Sequence, residues 1–94
     1  GFPGGIVSKV IADQVIRSSG SISANLAEGF GRRQGKEYVH YLIISRGSTT
    51  ETWNWLMKCR DLGWIEAEEF GYYESVVEEI LKMLNKMIGQ KLNH

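Results

Sequence analysis

Asn25 and Glu28 lie one turn apart in the run Ser21-Ile22-Ser23-Ala24-Asn25-Leu26-Ala27-Glu28-Gly29-Phe30-Gly31-Arg32, and Arg46, Ser48 and Glu51 follow in a second segment. On helices, residues 25 and 28 share a face, as do 48 and 51, with Gly47 opening the backbone between them. An amide, a guanidinium, a hydroxyl and two carboxylates in this pattern support two readings. One is a ligand or partner site. The other, adopted here, is an inter-helix polar network that sets register, a role buried polar groups can fill.

The remaining reactive side chains are sparse. A di-metal carboxylate centre needs carboxylates on several helices and Glu-x-x-His motifs. Glu37-Tyr38-Val39-His40 supplies one such motif, so no metal is expected. Arg32, Arg33 and Lys36, beside Tyr38, His40 and Tyr41, have the chemistry to hold phosphates and stack bases. The alternative for them is a solvated turn whose charges cap a helix. Cys59 stands alone and reads as a buried or half-buried thiol rather than a nucleophile, and His94 is terminal. No Ser/His/Asp order, phosphate-binding loop or dinucleotide glycine pattern occurs. No catalytic residue and no cofactor is therefore assigned.

Three helices must position these groups. A loop or tail covers residues 1–5. The first helix spans about 6–30, with Val7, Ile11, Val15, Ile22, Leu26 and Phe30 as its apolar stripe and Ser18 and Ser19 where a large residue is due. Gly20 weakens it by ~1 kcal/mol relative to Ala, and the small residues from Ser18 to Ser23 suit a bend or a closely packed neighbour. The second helix spans about 36–62, carrying Val39, Leu42, Ile43, Thr49, Trp53, Leu56 and Met57, with Gly63 in the place of a C-terminal glycine. The third spans about 66–91, with Phe70, Tyr73, Val77, Ile80, Leu84 and Met87 near heptad spacing. Glutamates at its start and lysines toward its end complement the helix dipole. Trp55 points about 200° away from Trp53 by helical rotation and is a candidate interface residue.

The 94 residues make one all-α domain, an antiparallel up-and-down helical bundle, since short connections place successive helices antiparallel. The apolar stripes are wider than three helices can cover, so a fourth helix or a second subunit is expected. A single cysteine, no signal-peptide layout and no long apolar run lead to the expectation of a cytoplasmic protein that does not enter a membrane. Eleven basic and eleven acidic side chains give zero formal charge, which argues against strong non-specific nucleic-acid binding. Residues 1–65 nevertheless hold eight basic and five acidic side chains, which leaves room for a local basic face.

The blocks Ser21–Gly29, Tyr38 with Leu42-Ile43-Ile44, Arg46-Gly47-Ser48 with Glu51, and Asp61-Leu62-Gly63-Trp64-Ile65 resemble one bacterial family in order and spacing. This is the four-helix-bundle family of proteins encoded in intervening sequences of the 23S ribosomal RNA gene. The accessory variability determinants of diversity-generating retroelements look like relatives. The resemblance runs from Phe2 onward. It implies a four-helix bundle assembled as a homo-oligomeric ring, typically a pentamer, without catalytic activity. The retroelement relatives bind a reverse transcriptase and nucleic acid through a basic surface. Family members carry a helix before the segment resembling Phe2-Pro3; its absence leads to the expectation of a shortened chain. A family proline is replaced by Ser23, and the neutral charge differs from that of the basic retroelement relatives.

Three functions follow as expectations. The first is a non-enzymatic homo-oligomeric scaffold or adaptor. The second is a nucleic-acid-binding accessory module with an RNA or reverse-transcriptase partner, using a belt of Arg32, Arg33 and Lys36 that a ring would multiply. The third is an enzyme or metal protein using Glu28, Glu51 and His40.

Overall fold

The computed structural model describes residues 5–31 and 36–92. It contains three helices of 26 residues each, α1 (Ile6–Gly31), α2 (Lys36–Asp61) and α3 (Ala67–Leu92), and no strand among the described residues. The fold is all-helical, as the spacing of the apolar residues requires. Glu37 in the first turn and Lys58 and Arg60 in the last favour the dipole of α2, and Glu68, Glu69 and Lys91 do the same for α3. Helix α1 has no such charges at either end and depends on its packing.

The turn from α2 to α3 is a Schellman motif. Trp64 N–H donates to the Cys59 carbonyl and Gly63 N–H to the Arg60 carbonyl, both at 2.9 Å. Gly63 adopts φ +77°, a conformation costly for a residue with a Cβ. The chain therefore stops α2 sharply at Gly63.

Helix α2 is central. It packs against α1 on one side and α3 on the other, while α1 and α3 share no close backbone approach among the described residues. The molecule measures 47 × 24 × 14 Å. Its width accommodates three helices side by side at an axial spacing of about 8–10 Å. The helices thus form an open layer. Two apolar clusters join α2 to α3. One is Leu42, Leu84 and Ile88, with Tyr38, Met87 and Leu26 from α1 packed on it. The other is Leu56, Phe70 and Val77, with Trp53 and Ile65 against it. Trp53 stacks on Phe70 with ring centroids 4.9 Å apart, consistent with its place in the apolar stripe.

The face that α1 presents to α2 differs from the expected stripe. Its buried residues are Ser8, Ile11, Ser18 and Gly29. Val7 and Phe30 are exposed, and Val15, Ile22 and Leu26 are only partly covered. Ser8, Ile11, Val15, Ser18, Ile22, Asn25 and Gly29 recur in alternating steps of three and four, a heptad pattern in which three of the seven positions are Ser or Gly. A Cβ on Gly29 would lie 3.4 Å from Tyr41 Cβ, so the backbones are close there.

Gly20 and Gly47 face open space, with no atom within 4 Å of where a methyl group would stand, and neither has positive φ. Gly47 is thus no packing contact between these helices. Gly20→Ala and Gly47→Ala are each expected to raise stability by about 0.5–1 kcal/mol through helix propensity and a less flexible unfolded chain. Urea denaturation checks this; a loss at either position would contradict the open faces described.

Candidate inter-helix seam and apolar trough

Small side chains bring α1 and α2 together, and hydroxyls fill the contact. Thr52 Oγ1 lies 2.8 Å from Ser18 Oγ, and Ser21 Oγ lies 2.8 Å from Ser48 Oγ. Ser45 Oγ donates to the Ile22 carbonyl at 3.0 Å. Along α1 these contacts run 18, 21, 22; along α2 they run 52, 48, 45. Thr49 Oγ1 donates back to the Ser45 carbonyl at 2.8 Å. Ser18, Ser45 and Thr49 are 0% exposed, so each hydroxyl depends on a protein partner. No buried side-chain nitrogen or oxygen among the described residues lacks one.

The expected polar constellation is divided among several partners. Asn25 Nδ2 donates to the Ser21 carbonyl at 2.8 Å and to Ser21 Oγ at 3.0 Å, so Asn25 and Ser48 join one network through Ser21. Arg46 turns the other way and donates from Nη1 to Asn85 Oδ1 on α3 at 3.0 Å. Glu51 pairs with Arg17 of α1 and accepts a long 3.4 Å contact from Trp55 Nε1. Glu28 is exposed on α1. Trp55 is partly buried, because its indole lies back toward Glu51 one turn away. Arg32 and Arg33 lie outside the described residues, as does the side chain of Lys36. His40 is exposed and meets the Tyr41 ring edge-on at 5.7 Å. No three His, Cys, Asp or Glu side chains among the described residues converge on a metal-sized site.

The small residues from Ser18 to Ser23 are legible as a close-packing stretch, but the pairing of each hydroxyl and the part played by Thr52 are not. The steps of three and four through Ser8, Ser18, Asn25 and Gly29 are the signal that could have found the seam. The ladder is built from neutral hydroxyls and carbonyls, with no base against any serine to activate it. Its chemistry is that of a register lock.

On one face of the layer, α1 and α3 flank α2 and leave a trough of about 350 Å³. Val15, Ile22, Leu56, Tyr73, Val77 and Ile80 line it, and Glu69 is the one charged lining residue. Apolar walls without convergent polar groups suit helix packing better than a reaction. Cys59 is fully buried, and that burial pushes its thiol above the ordinary range. No helix among the described residues is long and apolar enough to cross a membrane.

The charges segregate along the long axis. Residues 21–50 and 80–94 together hold seven basic and two acidic side chains; residues 1–20 and 51–79 hold four basic and nine acidic ones. Contacts between Ser21 and Ser48 and between Arg46 and Asn85 place the described parts of the first set in one half of the molecule.

Thr52→Val removes the hydroxyl that pairs with Ser18 and with the Ser48 carbonyl and is expected to cost about 1 kcal/mol, measured by chemical denaturation; Thr50→Val, at an exposed site, is expected to cost well under half of that. The raised Cys59 pKa means that the folded state holds its proton more tightly than the unfolded chain. Its contribution is complete below about pH 8.5, the unfolded value, and is lost as pH climbs through the folded value. The fall in stability above about pH 8.5 is therefore expected to be shallower in Cys59→Ala than in the parent.

The sequence profile of the 23S rRNA-intervening sequence protein family matches residues 7–86. The fold is similar to the crystal structure of a protein of unknown function from the S23 ribosomal protein family of Bacteroides thetaiotaomicron, with a TM-score of 0.81 and 28% identity, covering 84% of this chain and 73% of that one. No curated protein matches the chain in sequence. A profile match spanning both the seam and the trough-lining helices, together with this shared fold, establishes that the chain belongs to the 23S rRNA-intervening sequence protein family.

Proposed function

We propose that the protein is a non-enzymatic, homo-oligomeric scaffold or adaptor of the cytoplasm. In this reading a fourth helix occupies the trough and completes an antiparallel up-and-down four-helix bundle, and copies of the bundle assemble into a ring, a pentamer by family resemblance. The observation that carries it is the open apolar trough. Val76 and Met83 on α3 and Phe30 on α1 are large and exposed, at 37%, 45% and 49%. Leaving that much apolar surface in water is costly, at about 25 cal/mol per Å². The hydroxyl seam agrees with a structural role, since it holds helices in register and offers no activated nucleophile.

Light scattering across micromolar concentrations is expected to give a mass well above that of one chain; a clean monomer throughout would count against the scaffold. The trough has its own test. Val76→Lys is expected to destabilise the assembled protein by about 2 kcal/mol or more if a helix covers this site. A change within about 0.5 kcal/mol, typical of surface positions, would leave the trough uncovered.

The segregation of charge favours a second reading, a nucleic-acid-binding accessory module with an RNA or reverse-transcriptase partner. A net charge of zero conceals an uneven distribution: among the described side chains, residues 21–50 and 80–92 hold four basic and two acidic groups, against four basic and nine acidic in the remainder, and Arg32, Arg33 and Lys36 add to the first set in sequence. A ring would repeat this surface around its circumference.

A further inference from the structure

The three described arginines differ in what they touch. Arg17 is paired with Glu51, and Arg60 with Asp61. Arg46 instead donates to the neutral amide oxygen of Asn85. Its guanidinium is held in place while its charge stays uncancelled by this partner. Lys82 and Lys86 flank Asn85 on α3, are both exposed, and lie one turn apart. That spacing corresponds to about 6 Å along the helix. From Ile80 to the end of α3 there is no carboxylate. Glu78 and Glu79 mark where the acidic half begins.

We propose that Arg46, Lys82 and Lys86, aligned across the α2–α3 junction by Asn85, form a ridge that binds the phosphodiester backbone of a single-stranded nucleic acid. The inference rests on the second reading above and extends it to residues outside the Arg32, Arg33 and Lys36 belt. Two lysines at one-turn spacing beside an oriented guanidinium offer three positive charges to successive phosphates. Exposed Asn85 and half-buried Gly89 lie among these cations, and a row of point charges suits successive phosphates, whereas a protein interface centres on apolar and aromatic anchors.

The test is fluorescence anisotropy of the whole protein with a labelled single-stranded RNA of ~20 nucleotides and the DNA of the same sequence, titrated across about 50–200 mM salt. Lys82→Ala/Lys86→Ala is expected to lower the slope of log affinity against log salt by about 1.4, at ~0.7 per phosphate contact. Lys58→Ala, an exposed cation of the acidic half, is expected to leave the slope unchanged. Binding of either polymer with that reduced slope supports backbone recognition, and the two affinities tell which polymer is preferred. An unaltered slope in the double variant overturns the ridge. So does displacement of the RNA by polyglutamate as readily as by unlabelled RNA, which would identify an acidic protein surface as the partner class. If Arg32→Ala/Arg33→Ala abolishes binding while the lysine variant retains it, the nucleic-acid reading stands and the ridge fails. If the parent protein binds neither polymer, both fail together.

Discussion

Close approach of α1 to α2 through small side chains is the constraint from which the remaining structure follows. With serine, threonine and glycine at much of the contact, the buried hydroxyls must find partners or be penalised by about 1–3 kcal/mol each. The Ser18–Thr52, Ser21–Ser48 and Ser45–Ile22 contacts satisfy them in one register. Sliding α1 by one turn would separate every pair at once. Specificity here comes from several modest bonds that are satisfied together, rather than from one strong ion pair. The Arg17–Glu51 pair at the edge is largely exposed, and pairs of that kind contribute about 0–1 kcal/mol.

The same constraint decides where the large residues of α1 go. A narrow, polar seam on α2 turns Val15 and Ile22 toward the trough, where α3 contributes Tyr73, Val77 and Ile80 from the other side. The apolar surface of the layer is therefore concentrated on one face, while Arg46, Asn85 and the lysines lie away from the trough lining. The layer thus has one apolar face and, among its described side chains, an uneven distribution of charge along its length.

Much of the helical architecture is legible because period is a property of the chain alone. Phe70, Val77, Leu84 and Ile88 on α3 are large, repeat regularly and are the buried residues observed. Gly63 is legible for the same local reason, since few other residues tolerate the left-handed backbone at a helix end. The α1 seam is harder to read. Large apolar residues ordinarily mark the buried face, but on α1 Val15 and Ile22 line the trough, and Ser8, Ser18 and Gly29 share the buried face with Ile11. Hydroxyl pairing is equally silent in a sequence. Asn25, Ser48 and Glu51 are recognisable as unusual, yet their partners depend on which helix lies across from them, and Arg46 reaches α3 rather than α1. Ser21 and Thr52 look ordinary because their importance arises only once two helices touch.

The left-handed residue that closes α2 also fixes the position of an indole. Immediately after Gly63, Trp64 is carried to the mouth of the trough and becomes part of its wall, whereas Trp53 is stacked on Phe70 and Trp55 lies against Glu51. A fluorophore thus stands at the edge of the large apolar surface, in a setting distinct from its two siblings. The emission colour of this tryptophan reports whether water or a packed side chain occupies the space beside it, so the molecule carries its own optical gauge of occupancy.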